Sequence, residues 1–234
     1  MPSATPLPVD LVCLDAGGVL LFPHWGRVSS VLAQHGLGVG ANALAAADHR
    51  AKARLDRAEV LGATNNAGHG WLYLQAVLEA AGVPASQVTP AVIGDLRATH
   101  AERNLWEVAG TDVPAALERL RAQGLRLAVV SNSDGRLQQL LDATDLARWF
   151  DLSVDSHDVG FEKPDPRLFH YVVNRLGVPP SRAAHVGDLY HIDVVGARAA
   201  GLHAVLLDPA GLYSDADCPR VASLLELADA LPAT

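Results

Sequence analysis

Cysteine is nearly missing from the 234-residue chain: Cys13 lies inside an apolar run, and Cys218 lies in a polar loop near the other end. Two such residues build no disulfide scaffold, and a reducing, cytoplasmic setting is the expectation. Long apolar runs are also lacking. Charged residues, Gly and Pro interrupt every one, so no stretch of about 20 residues is available to span a bilayer, and no membrane partner is expected. Met1 to Pro8 has neither a basic n-region nor a long apolar h-region, so it does not read as a signal peptide. Positive charge is scarce, with 18 Lys and Arg against 26 Asp and Glu and a formal net charge of −8. No five or six like charges run together, and a nucleic acid is a poor partner for such a surface. A local positive site for a small anion is compatible with it. There is no internal repeat and no low-complexity tract.

What remains is ordinary for a globular enzyme: 50% of the residues are apolar and 19% charged. The length suits one α/β domain, or a core carrying a smaller insert. Val9 to Leu14 reads as a buried parallel strand that stops at Asp15-Ala16-Gly17-Gly18. From His24 to about Arg103 the pattern turns helical, over Val28–Gln34, Ala41–Glu59, Trp71–Ala80 and Ala91–Arg103. Gly and Pro clusters separate these stretches, among them Gly62 to Gly70, and no strand is expected between them. After Gly110 strands and helices alternate. Strands are expected over Leu125–Val130, Leu152–Val154, Ala183–Val186 and Ala204–Leu207, and helices over Val113–Gln123, Leu137–Leu146, Asp165–Leu176 and Ile192–Ala200. That rhythm predicts right-handed crossovers and a doubly wound parallel sheet, with ligands beyond the carboxyl ends of its strands.

Polar residues stand at those ends. The first strand ends in Asp15, the second in Ser131-Asn132 and the fourth in Gly187-Asp188, with Asp193 five positions on. Lys163 follows the third strand in Gly160-Phe161-Glu162-Lys163-Pro164-Asp165. Taken singly, each has a plainer explanation. Asp15 or Asp188 caps a turn or helix, Ser131-Asn132 makes a turn, and Lys163 is a solvated loop residue. Taken together they bring three carboxylates, a hydroxyl and an ammonium to one crevice. Carboxylates so close need a cation between them, and Mg²⁺ suits hard oxygen ligands.

The ordered set resembles the haloacid-dehalogenase superfamily over nearly the whole chain. Leu11-Val12-Cys13-Leu14-Asp15-Ala16-Gly17-Gly18-Val19-Leu20 matches its opening strand, nucleophilic Asp and glycine turn. Val129-Val130-Ser131-Asn132 matches its second motif, Lys163-Pro164-Asp165-Pro166 its third, and Val186-Gly187-Asp188 with Asp193 its last. The resemblance implies a Rossmann-like core over residues 1–22 and 105–234, with a helical cap over 23–104 inserted after the first motif. It further implies a Mg²⁺-dependent phosphatase of a small phosphorylated metabolite, monomeric or homodimeric, in which Asp15 forms an aspartyl-phosphate. Asp15, the Gly17 carbonyl and Asp188 would hold the metal. Ser131 and Lys163 would bind the phosphoryl oxygens, with Asn132 as a further contact. Asp193 would orient Lys163 or a metal-bound water.

One position departs from the family pattern. Most such phosphatases carry, two residues after the nucleophile, an Asp that protonates the leaving group; here Gly17 stands there. Its loss costs about 10² to 10⁴ in rate unless the leaving group needs little help. His24, in Leu21-Phe22-Pro23-His24-Trp25, is the nearest substitute donor or substrate contact, set against a solvent-facing residue opening a helix. Trp25 stacks on substrate or packs the connection. His49, Arg50 and Arg54 share a helix and either face an anionic substrate or form a solvated helix face, the latter being the expectation, and His69 falls in a Gly- and Asn-rich loop. Three other functions compete. A 2-haloacid dehalogenase would use Asp15 on carbon without metal, a phosphonate hydrolase would need a Schiff-base lysine for which Lys52 is available, and a non-catalytic binding protein would have lost its acid.

Overall fold

In a computed structural model, the structure describes residues 9–56 and 66–231. The chain divides into two units, Met1–Leu21 with Ala109–Thr234, and Phe22–Val108.

The first unit is built on a six-stranded, wholly parallel sheet. Its strands are β1 (Leu11–Leu14), β4 (Arg126–Ser131), β5 (Leu152–Asp155), β6 (Ala183–Gly187), β7 (His203–Leu207) and β8 (Arg220–Val221), in the order β5-β4-β1-β6-β7-β8. All four residues of β1 are buried, the pattern of a central strand covered on both faces. Successive residues point to opposite faces, so Val12 and Leu14 join one apolar cluster while Leu11 and Cys13 join the other. Helices cover both faces: α5 (Val113–Ala122), α6 (Leu137–Ala143) and α10 (Leu224–Ala230) carry residues of the first cluster, and α8 (Pro166–Leu176) and α9 (Val195–Ala199) of the second. A one-turn helix, α7 (Ser156–Val159), follows β5. The sequence also marks the ends of α8. Asp165 accepts from the Arg167 N–H as N-cap, Pro166 opens the helix, and Gly177 closes it at φ 65.

The second unit packs α1 (Trp25–Gln34), α2 (Ala41–Leu55), α3 (Asn66–Ala80) and α4 (Pro90–Glu102) around Val28, Leu32, Leu44, Ala47, Leu74, Val77, Leu78 and Leu96. The chain enters through β2 (Leu21–Pro23) and returns through β3 (Trp106–Ala109), and these strands pair as a separate ribbon. Neither was expected from the sequence. At three and four residues they are too short for a period-two pattern to register. α3 begins at Asn66, so the backbone at His69 is helical where a loop was expected. Apolar residues Leu74, Val77 and Leu78 anchor the helix despite Gly68 and Gly70 in its first turns. The stretch 57–59 of the expected second helix lies outside the described residues.

Candidate active site

Strand register brings the expected polar residues to one edge of the sheet. Leu14 pairs with Val129 on one side and with Val186 on the other. Asp15, one step beyond, donates its backbone N–H to the Val186 carbonyl at 2.9 Å, so it leaves the sheet beside Gly187-Asp188 and level with the end of β4. The following turn is tight: the Gly18 N–H reaches the Leu21 carbonyl, and the Leu21 N–H reaches the Ala16 carbonyl, both at 2.8 Å. Its left-handed residue is Gly18, at φ 81, and not Gly17.

Lys163 stands at the centre. Its Nζ lies 2.8 Å from Asp15 Oδ1 and 2.7 Å from Asp193 Oδ1, and its side chain is almost wholly withdrawn from solvent. Asp15 Oδ1 also accepts the Ala16 N–H at 2.7 Å. One oxygen each from Asp15, Asp188 and Asp193 falls within 4.8 Å of the others, and all three residues are buried. Ser131 is buried at the end of β4, opposite Asp155.

The electrostatics follow from this crowding. Burial pushes the Asp15 carboxyl up and Lys163 pulls it down. The Asp193 and Asp188 charges push it up again, and the result is about 6. Burial also opposes ionisation of Asp193. There the Lys163 charge and the hydrogen bond from His185 prevail, and its carboxyl is held well below the usual range. Lys163 loses by burial and gains more from Asp15 and Asp193, so its ammonium is held above the ordinary lysine value. Among these four residues three carboxylates face one ammonium. An all-oxygen donor set with surplus negative charge fits a hard divalent cation. Asp193 is the least available of the three carboxylates, since Oδ1 receives Lys163 and Oδ2 takes the Leu189 N–H at 3.0 Å.

Asn132, the expected further phosphate contact, is hydrogen-bonded to the backbone of Lys163. Its Nδ2 donates to the Lys163 carbonyl at 2.9 Å, and its Oδ1 accepts the Lys163 N–H at 2.7 Å. One donor and the carbonyl oxygen of the amide thus clamp the backbone of the lysine. His24 lies in the second unit, exposed, and its Nδ1 accepts the Arg27 N–H at 3.1 Å as N-cap of α1. Trp25 sits 6.5 Å from Tyr73, ring to ring, in an aromatic cluster of that unit. Lys52 pairs with Asp48 at 3.4 Å and lies over the Tyr73 ring, while Arg54 pairs with Glu79.

Sequence reasoning missed three supports. His185 is fully buried on β6, with Nε2 2.9 Å from Asp193 Oδ1. Asp155 Oδ2 accepts the Gly135 and Leu137 N–H groups, which fixes the loop after Ser131. Gly187 leaves room for Asp193, since a Cβ there would fall 2.0 Å from the Asp193 Cγ. The signal for His185 was present as a lone imidazole in an apolar strand, which needs a buried partner.

Residues 9–201 match the family of haloacid dehalogenase-like hydrolases. Haloacid dehalogenase-like hydrolase domain-containing protein 3 of Bos taurus is 38% identical over 156 residues, 61% of this chain and 62% of that protein. The phosphoserine phosphatase of Thermus thermophilus is 44% identical over 98 residues, 42% of this chain and 39% of that protein. The chain thus matches less than two thirds of the length of these curated relatives. Among solved structures, a HAD phosphatase from Thermococcus onnurineus aligns with a TM-score of 0.58 at 25% identity, covering 94% of this chain and 97% of that one.

Proposed function

The chain belongs to the haloacid dehalogenase-like hydrolases, and from that premise we propose that it is a magnesium-dependent phosphatase of small phosphate monoesters, working through an aspartyl-phosphate on Asp15. The observation that carries this reading is the buried Asp15 carboxylate held 2.8 Å from Lys163, with Asp188 and Asp193 beside it. Phosphatase names among the partial relatives support the same chemistry.

In this reading Asp15 and Asp188, with the Gly17 carbonyl, hold the magnesium. When bound, the ion neutralises the surplus carboxylate charge and polarises the phosphoryl oxygens. Lys163 and the Ser131 hydroxyl bind those oxygens and keep the phosphorus in line with Asp15. The Asp15 carboxylate attacks phosphorus, and the bond to the leaving oxygen breaks as the new O–P bond forms. Water then cleaves the acyl phosphate, which releases inorganic phosphate and restores the carboxylate. Asp193 holds Lys163 in place throughout, and Asn132 fixes the lysine backbone. We assign residues 22–108 the role of cap, where substrate selectivity resides.

A phosphate-release screen over small phosphate esters tests the reading, run with Mg²⁺, with EDTA, and with Asp15→Asn. Release that needs Mg²⁺ and falls below about a hundredth in Asp15→Asn is the expected result, since the amide cannot form the acyl phosphate. Metal-independent halide release from a 2-haloacid would replace it with the dehalogenase reading.

A further inference from the structure

We propose that His185 is a positioning residue of this site: its Nε2–H holds the Asp193 carboxylate, and through it sets the Lys163 ammonium on Asp15. The geometry is a continuous chain. His185 Nε2 is 2.9 Å from Asp193 Oδ1, the same oxygen receives Lys163 Nζ at 2.7 Å, and Nζ is 2.8 Å from Asp15 Oδ1. The imidazole sits with 0% exposure in the middle of the sheet, edge-on to Phe169 at 5.0 Å between ring centres. Its other nitrogen, Nδ1, is buried and has no hydrogen-bond partner among the described residues.

That orphaned nitrogen is what argues for a role. A leucine would pack into an apolar strand without burying an unsatisfied polar atom, so the ring is destabilising on one side. The compensating interaction is on the other side, at Asp193. The tautomer follows from the same surroundings. A proton on Nδ1 would leave a buried donor unpaired and set the Nε2 lone pair against a carboxylate oxygen at 2.9 Å. A proton on Nε2 turns that repulsion into a hydrogen bond and leaves Nδ1 as a buried acceptor, whose cost is what the bond to Asp193 offsets. Without this donor only the Leu189 N–H at Oδ2 orients the Asp193 carboxylate, Oδ1 is no longer fixed, and one of the two anchors of the ammonium loosens.

The proposal rests on the phosphatase reading for its kinetic consequence only. His185→Gln and His185→Asn form the test, because a Gln amide nitrogen falls near the Nε2 position and an Asn amide nitrogen near Nδ1. Both place a buried amide in the same strand, so a purely structural role would move both alike. His185→Asn is expected to lose about tenfold or more in kcat for Mg²⁺-dependent phosphate release with KM little changed, and His185→Gln to recover most of it. The slowly exchanging ¹H–¹⁵N signal of the Lys163 ammonium should persist in His185→Gln and fade in His185→Asn, whether or not either protein turns over a phosphate ester. Equal kcat and equal Lys163 signals in the two folded variants would overturn the proposal. Should neither variant fold, long-range ¹H–¹⁵N correlations of the unaltered protein decide: a proton on Nε2 is expected, and one on Nδ1 alone would overturn it. A wild-type protein without phosphatase activity but with the Nε2 proton and the paired Lys163 signals would sink the function reading and leave this one standing.

Discussion

Replacing Asp15 by Asn takes one negative charge out of a buried cluster in which three carboxylates share a single lysine. Its effect on the metal-free protein can be worked from the electrostatics. Burial, offset in part by Lys163 and reinforced by Asp193 and Asp188, lifts the Asp15 carboxyl from 3.8 to about 6. At roughly 1.4 kcal/mol for each tenfold change in proton affinity, that rise puts the cost of keeping this carboxylate ionised at about 3 kcal/mol. Since the folded value is the higher one, stability is undiminished below about pH 4, declines as pH rises through the window to about 6, and stays diminished above it. The neutral, isosteric Asn escapes that cost. In EDTA at about pH 7.5, Asp15→Asn should therefore resist urea better than wild type, by about 1 to 3 kcal/mol, although it has lost the proposed nucleophile. At about pH 4.5 the advantage should shrink to a fraction of that, because Asp15 is then largely protonated in the folded wild type. Adding Mg²⁺ at about pH 7.5 should stabilise wild type and leave Asp15→Asn nearly unmoved, if the ion is held as proposed by the folded Asp15 and Asp188 pair. An Asn variant less stable than wild type at about pH 7.5, or an advantage that ignores pH, would refute the charge-crowding account.

Three other outcomes follow. Asn132→Ala removes both hydrogen bonds that fix the Lys163 backbone, and kcat/KM for phosphate release should fall about ten- to a hundredfold with little change in melting temperature; an undiminished rate would show that the loop holds itself. Gly196→Ala would bring a Cβ to 2.8 Å from both Phe169 Cε2 and the Pro164 Cα, so urea unfolding should show a loss of about 1 to 3 kcal/mol, and no loss would mean that α9 shifts freely. Gly17→Asp restores a carboxylate where the family's usual acid stands, and the left-handed residue of that turn is Gly18. A plot of kcat/KM against leaving-group pKa should therefore flatten relative to wild type, with alkyl phosphates gaining more than aryl ones; a parallel rise for both would show that proton transfer is not what Gly17 lacks.

The parallel sheet was legible because its strands are short apolar runs with turn residues between helical stretches. Five of its six strands coincide with expected ones to within two residues at either end. The sixth, β8, has only Arg220 and Val221, and β2 and β3 are little longer. Such elements owe their existence to pairing with a neighbour, which no local pattern encodes. The second unit shows the opposite failure. Its helices were expected from Ala and Leu spacing, yet the start of α3 was hidden by Gly68 and Gly70, whose low helix propensity yields to the packing of Leu74, Val77 and Leu78.

At the site, the charged residues declared themselves because they stand at strand ends or in the segments just after them, while their supports did not. Asn132 was visible, but only the fold reveals that both ends of its amide close on Lys163. His185 hides inside an apolar run, and its partner lies eight residues on, in the π-helical turn Tyr190–Val194. That turn lets the Asp193 carboxylate bind the Leu189 N–H with one oxygen and keep the other for Lys163. Gly187 is needed for the same reason, since any side chain there would occupy the Asp193 carboxylate. The proposed nucleophile is thus one residue, but its charge balance depends on a lysine from the loop before α8, on an imidazole and a missing side chain from β6, and on a second carboxylate from the turn that follows β6. Sequence spacing identifies the two carboxylates and the lysine. The parts played by His185 and Gly187 become readable only when the end of β6 lies beside β1 and the turn after it folds back.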